Sequence, residues 1–183
     1  MFKFKKTKIH DCYEIYSELH KDNRGKFVKV FNEFEFKKLN LNLIFTEQYY
    51  TVTRPNAVRG FHFQTPPHDN SKLIYCSNGE VMDVILDLRL GSPTYGKYHS
   101  IKLSEKKANA IYISRGVAHG FATYKKTSTL VYNATSLYSR KHDKGVLWNS
   151  IGVKWPSLKP IISTRDQSFQ KFKDFKSPFI YKI

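Results

Sequence analysis

Short runs with a two-residue apolar period, separated by turns, constrain this chain more than any other feature. In VMDVILDLR (81–89), Met82, Val84, Leu86 and Leu88 alternate with a mixed face carrying Asp83 and Asp87, which predicts a half-buried strand. GSPTYG (91–96) supplies turn chemistry, and YHSIKL (98–103) resumes the alternation. AIYIS (110–114) and STLVYNAT (128–135) are further β-branched and aromatic runs, flanked by the turn-like SRG and YKKTS. Helical periodicity is weak throughout; the best helix segment is FNEFEFKKLN (31–40), where the phenylalanines fit poorly. Strands spaced by about 8–12 residues predict an all-β sandwich, jelly roll or barrel with a few short helices.

At 183 residues the chain has the length of one ordinary domain, and no repeat or linker divides it, so residues 1–183 are expected to form a single unit. From about residue 148 the pattern changes to WNSIGVKWPSLKPIIS, with Pro156 and Pro160. Residues 148–183 are expected to be an irregular arm lying over the sandwich, being too short for a core of their own. No apolar run is long enough to span a bilayer, and MFKFKKTKIH has neither the apolar stretch nor the cleavage site of a secretory signal. The two cysteines, Cys12 and Cys76, argue against a disulfide framework and for a reducing cytoplasm.

The formal charge of +16 raises the prospect of a polyanion-binding module. The lysines are scattered along the chain instead of forming a basic arm, so neither a nucleic-acid nor a membrane partner is expected. Most of the charge reads as solvated surface, with a minority serving a phosphate-bearing ligand.

Chemistry-bearing residues concentrate in VRGFHFQTPPHDNSKLIYCSNGE (58–80), which holds Arg59, His62, Gln64, His68 and Lys72, and in RGVAHG (115–120), which holds His119. Tyr132, Tyr138, Arg165 and Asp166 follow. One reading is metal ligation, since two histidines two apart on a strand point the same way into one pocket. The position two after His62 is Gln64 and no carboxylate follows before Asp69, so a metal-dependent cupin oxygenase using His62 and His119 is a secondary reading and no metal is expected. The other reading is acid–base chemistry without a cofactor. It needs a histidine, a carboxylate to hold its tautomer and a cation for the developing anion, and His62, Asp166 and Lys72 supply those types.

Taken together, DNRGKF (22–27), VRGFHFQ (58–64), SKLIYCSNGEVMDVILDLRLGSPTYG (71–96), IYISRGVAHGFAT (111–123), VYNAT (131–135), LWNSIGVKWP (147–156) and ISTRD (162–166) resemble the dTDP-4-dehydrorhamnose 3,5-epimerase family, metal-free cupins that act on nucleotide-linked 4-keto-6-deoxy sugars. The resemblance implies a cupin jelly roll, a homodimer, a nucleotide-diphosphate sugar substrate and no cofactor. It makes His62 the general base and Asp166 its orienting carboxylate. Lys72 matches the lysine at the enolate oxygen, and Tyr132 the tyrosine that returns a proton on the opposite ring face. Arg24, Gln48, Arg59 and His119 match residues contacting the diphosphate or nucleoside; Tyr138 and Arg165 lie where further nucleotide contacts are made.

Three departures stand out. Lys26, Phe27, Val28 and Lys29 follow the DxRG motif where relatives have phenylalanines and a glutamate. TEQYYTVT (46–53) has Tyr50 where asparagine is common, and the ending STRDQSFQKFKDFKSPF (163–179) is similar to relatives acting in other deoxysugar pathways. These leave open the nucleotide, the sugar and whether C3, C5 or both are inverted, including single-centre epimerisation of a CDP-linked 3,6-dideoxy-4-ketohexose. The expected setting is cytoplasmic deoxysugar biosynthesis for a surface polysaccharide.

Overall fold

A computed structural model describes residues 2–41 and 43–181. Its strands are β1 (Lys3–Lys6), β2 (Tyr13–Tyr16), β3 (Glu18–Asp22), β4 (Gly25–Lys29), β5 (Glu47–Thr53), β6 (Val58–Gln64), β7 (Lys72–Asn78), β8 (Glu80–Asp87), β9 (Tyr98–Ser104), β10 (Asn109–Ile113), β11 (Val117–Thr123), β12 (Ser128–Ala134) and β13 (Asp143–Gly145). The two short helices are α1 (Glu33–Lys37) and α2 (Thr164–Gln167). The strands pair into a six-stranded sheet ordered β1-β2-β10-β7-β12-β5, a five-stranded sheet ordered β13-β6-β11-β8-β9, and the separate β3–β4 hairpin. All ladder pairings are antiparallel. This is the jelly-roll sandwich that the strand spacing predicts.

Three apolar layers follow from the two-residue period. Ile74, Ile111, Leu130 and Tyr132 from the larger sheet meet Val81, Ile85, Val117 and Phe121 from the smaller one. The alternate residues of the larger sheet, among them Leu73, Ala110 and Tyr112, pack under Phe2, Phe36, Leu41 and Leu43 of the amino-terminal segment. Those of the smaller sheet, Phe61, Phe63, Val84, Leu86 and Ala118, pack under Val153, Trp155, Phe172, Phe175 and Phe179. These carboxy-terminal side chains therefore cover one face of the sandwich.

That cover corrects the reading of residues 81–89 as half-buried. Val81, Asp83, Val84, Ile85, Leu86 and Asp87 are at most 1% exposed, because the facing sheet seals one side and the arm the other. Asp87 tolerates this by accepting hydrogen bonds from the Arg89 guanidinium at 2.9 Å, and from Ser92 and Thr94 at 2.6 Å each. The helix expected over 31–40 shortens to five residues, Glu33–Lys37, started by the Asn32 side chain accepting from the Glu35 amide. Its phenylalanines serve the aromatic layer: Phe36 is fully buried, edge-on to Phe2 and Phe4.

Candidate active site

The two sheets diverge between the β5 edge of one and the β6–β13 edge of the other. There a cavity of about 310 Å³ opens, lined by Glu47, Tyr49 and Lys72 from the larger sheet and by His62, Gln64 and Asp143 from the smaller, with Tyr138 and Arg165 at its rim.

His62 points into the space between the sheets because it sits directly opposite His119 in the β6–β11 ladder. The backbone around it needs glycine. At Gly60 φ is +121°, and a Cβ would lie 2.5 Å from Gly120 Cα and 2.8 Å from the His119 carbonyl. Only a residue without a side chain allows the strands to approach this closely. The His62 Nε2 lies 2.8 Å from Asp166 Oδ1, and the other carboxylate oxygen accepts the Gly60 amide at 3.0 Å. Asp166, 104 positions away in sequence, is delivered by the single turn of α2, whose start is capped by Ser163 accepting from the Asp166 amide.

Asp166 is 3% exposed. Burial alone pushes its carboxyl up, but the hydrogen bonds and charge of His62, with those of Gly60 and Ser163, outweigh it and hold the group below the usual carboxylate range. An ionised Asp166 keeps the hydrogen on His62 Nε2, leaving Nδ1 with the lone pair that can take a proton. The imidazole side chain remains 31% exposed, so a ligand can reach it. The Phe169 ring stands edge-on to it at 5.8 Å, in space left open by Gly145.

Lys72 enters from the opposite sheet. It is 9% exposed, and burial lowers its amine from 10.5 to about 8, with the Asp143 charge opposing that shift only in part. An ammonium group in so dry a setting is a strong stabiliser of nearby negative charge.

Tyr132 shares the inner face with Lys72, but it is 5% exposed and lies deeper. On one side its ring is covered by Tyr49, parallel within 10° at 4.7 Å. It also stands nearly perpendicular to the His119 ring, with centroids 5.8 Å apart. Burial raises the Tyr132 hydroxyl far above the usual phenol value.

The remaining expected site residues divide. Tyr138 and Arg165 reach the cavity, with Arg165 paired to Asp143 at 2.6 Å. Arg59 is on the inner face of the smaller sheet, opposite Phe121 in register, and its Nε donates to Thr53 at 3.0 Å. His119 is 4% exposed and bonded to the buried Asp83 at 2.6 Å, outside the residues that line this cavity. Gln48 also lies outside that lining. It lies opposite Asn133, whose carbonyl accepts from it at 2.6 Å, on the outer face of the larger sheet. Arg24 sits at the tip of the β3–β4 hairpin, paired with Asp22 and away from the cavity.

Sequence reasoning missed Glu47, Tyr49, Asp143 and Phe169. In EQYYTVT, period two puts Glu47, Tyr49 and Thr51 on one face and the pairing with β12 turns that face inward, so Tyr50, the departure singled out above, faces out and is 70% exposed. Gln64 spends its amide on the His68 and Leu137 carbonyls at 3.0 and 3.1 Å. Among the described residues, no group of three or more His, Cys, Asp or Glu side chains is arranged to hold a metal ion, and no helix is long and apolar enough to cross a membrane.

The cleft of this β-sandwich brings a carboxylate-held imidazole and a buried lysine to one cavity. Residues 6–174 match the family model described as dTDP-4-dehydrorhamnose 3,5-epimerase, and the chain belongs to that family. It is thus an isomerase of the epimerase class. A dTDP-4-dehydrorhamnose 3,5-epimerase of Shigella flexneri is 34% identical over 172 residues, 92% of this chain and 95% of that protein. A dTDP-4-dehydrorhamnose 3-epimerase of Streptomyces niveus is 33% identical, covering 87% of this chain and 78% of that one. The crystal structure of the Bacillus anthracis dTDP-4-dehydrorhamnose 3,5-epimerase, with TDP and pyrophosphate bound, superposes with a TM-score of 0.90 at 31% identity, covering 93% of this chain and 99% of that one.

Proposed function

We propose that this enzyme inverts C3, C5 or both in a nucleotide-linked 4-keto-6-deoxyhexose of the dTDP-4-dehydro-6-deoxyglucose type. The observation that carries the reading is the His62–Asp166 pair, at 2.8 Å, facing buried Lys72 across one cavity. The C4 ketone acidifies the hydrogens on C3 and C5, because loss of either leaves an enolate shared with the carbonyl oxygen. His62 Nδ1 takes that proton while Asp166 holds the ring. Lys72 offsets the charge on oxygen, and a phenol of the facing sheet returns a proton from the other side. The family resemblance gives that last part to Tyr132. A placed acid or base contributes on the order of 10²–10⁴-fold, and an oxyanion partner about 10²–10³-fold.

Arg165 and Tyr138 line this cavity and are the groups we assign to the diphosphate, since a planar guanidinium can pair two oxygens at once; the resemblance adds Arg59. Arg24 and Gln48 lie away from the cavity, so within this reading they contact nucleotide only in a homodimer, from a second copy. The exposed apolar side chains Tyr50 and Val52 on the outer face of β5 suit such a contact. The setting we favour is cytoplasmic deoxysugar synthesis for a surface polysaccharide.

Incubation with dTDP-, CDP- and GDP-linked 4-keto-6-deoxy sugars in deuterated buffer tests the reading. Solvent deuterium is expected at C3, C5 or both in at least one of them. None at either carbon in any of them refutes it. Label at C3 alone would select the single-centre activity that the Streptomyces niveus relative's name describes.

A further inference from the structure

We infer that Tyr49 is a positioning residue for the acid: its ring, flat against that of Tyr132, fixes the plane in which the Tyr132 phenol meets the sugar and closes the flank of Tyr132 that the sheet leaves open. This rests on the epimerase reading, with Tyr132 as the group that returns the proton, and deepens it.

Register, ring geometry and burial support the assignment. On the inner face of the larger sheet, Ile74, Tyr132 and Tyr49 stand in one cross-strand row, Tyr132 being opposite Ile74 on β7 and opposite Tyr49 on β5. Ile74 belongs to the core and guards one flank of Tyr132. On the other flank β5 is the edge of its sheet, and among the described strands none lies beyond it. Whatever stands at position 49 is therefore the last cover on that side. The tyrosine there lies within 10° of parallel to the Tyr132 ring, with centroids 4.7 Å apart. That is close to the strand spacing itself and within the range over which aromatic pairs attract. With the nearly perpendicular His119 ring at 5.8 Å, the Tyr132 ring has little freedom to turn. The exposures divide accordingly, 39% for Tyr49 and 5% for Tyr132. Tyr49 also lines the cavity together with His62 and Lys72, which puts the brace at the site itself.

An acid that must protonate one chosen face of a planar enolate depends on direction. Displacing a reacting group by about 1 Å costs on the order of 10²-fold. The base is held by other parts: His62, on the facing sheet, is fixed by Asp166 at 2.8 Å. Loss of the Tyr49 ring therefore disturbs the two proton transfers unequally. The same ring keeps water from Tyr132, whose hydroxyl burial raises far above the usual phenol value. A phenol in so dry a place keeps its proton until the enolate takes it.

Tyr49→Ala and Tyr49→Phe, each compared with the wild type in deuterated buffer at saturating levels of the 4-keto-6-deoxy sugar that the wild type exchanges, test the assignment. Exchange needs only His62 on one face, whereas inversion needs Tyr132 as well. Tyr49→Ala is expected to keep exchange and to lower the ratio of inversion to exchange about tenfold or more, toward the ~10²-fold cost of a misplaced group. Tyr49→Phe keeps the flat ring and is expected to restore most of that ratio. An unchanged ratio in Tyr49→Ala, whether both rates hold or both fall together, overturns the proposal, because a residue that merely shaped the fold or the cavity would move the two alike. A Tyr49→Phe as impaired as Tyr49→Ala also overturns it, by giving the effect to the hydroxyl. Should Tyr49→Ala not fold, Tyr49→Leu fills the space without a flat face and is expected to show a lower ratio than Tyr49→Phe; equal ratios overturn the proposal. Absence of exchange in the wild type with every sugar sinks the epimerase reading, and undiminished inversion in Tyr132→Phe sinks its choice of acid. Wild-type exchange, an impaired Tyr132→Phe and an unchanged ratio in Tyr49→Ala together sink the Tyr49 assignment alone.

Discussion

Lys72 should make the fold less stable than a neutral residue would, and that cost can be measured. Its amine is lowered from the ordinary 10.5 to about 8 by burial. At 1.36 kcal/mol for each pH unit, that interval corresponds to about 3 kcal/mol of penalty for carrying the charge at neutral pH. Lys72→Met keeps the length and apolar stem while removing the ammonium. At pH 7 it should raise the melting temperature by up to roughly 10 °C, taking 2–4 °C for each kcal/mol in a chain of this size. The sign of the pH dependence provides the control. Between about 8 and 10.5 the unfolded wild type binds a proton that the folded one has released, so wild-type stability rises with pH across that window. The variant lacks this component, and the gap between the two proteins should close as pH rises from 8 to 10. Thermal or urea unfolding followed by circular dichroism at pH 7, 8 and 10 measures it. Exchange activity should meanwhile fall by about 10²–10³-fold, the contribution of an oxyanion partner. A Lys72→Met protein no more stable than wild type at pH 7 would refute the claim that an unrelieved buried charge sits at this site.

Two further outcomes follow from the dyad and the strand crossing beneath it. Asp166→Asn should lower deuterium exchange at least tenfold, roughly the small end of acid–base effects, because Nε2 loses the anion that fixes its hydrogen. Since the native carboxyl is held below its ordinary value, the stability it contributes is present above about pH 4 and lost on acidification; unfolding scans from pH 6 to 3 should show a shallower acid limb in the variant. Gly60→Ala places a methyl 2.5 Å from the backbone of Gly120 at a φ of +121°, and should destabilise the protein by about 3 kcal/mol, read from urea midpoints. An alanine variant of wild-type stability would mean that the two strands are not in contact there.

The β architecture was legible because period two survives in β8 and β9, and β-branched and aromatic runs mark β10 and β12. Layering was not, because it depends on segments with no period of their own. Nothing local in VMDVILDLR says that Phe172, Phe175 and Phe179 will cover the face carrying Val84 and Leu86, so a strand buried on both sides reads as half-buried. The site shows the same division. His62, Lys72 and Asp166 were named from their chemistry and from the resemblance, and they converge on one cavity or its wall. Gln48 lies one position off the inner face. The alternation in EQYYTVT states which residues share a face but not which face is inner; pairing with Tyr132 and Asn133 decides that. The burial of His119 was hidden for another reason. Its carboxylate partner, Asp83, sits on the mixed face of a strand that reads as half-buried, and only the closed sandwich makes the two a buried pair.

The charge balance of the cleft differs from that of the chain, and the difference bears on mechanism. Against a formal surplus of +16, the cavity and its wall gather Glu47, Asp143 and Asp166 beside Lys72 and Arg165. Each carboxylate there limits a cation: Asp143 pairs with Arg165 at 2.6 Å and opposes the lowering of Lys72, while Asp166 faces His62. A cleft lined only by cations would bind a diphosphate tightly in every part, ground state and transition state alike, and uniform binding does not speed the chemical step. With His62 neutral these groups sum to −1, so in the proposed reading the attraction for phosphate is left to the rim, where Arg165 is 47% exposed along its side chain. In that reading the floor is left to the place where we propose that charge develops, beside Lys72.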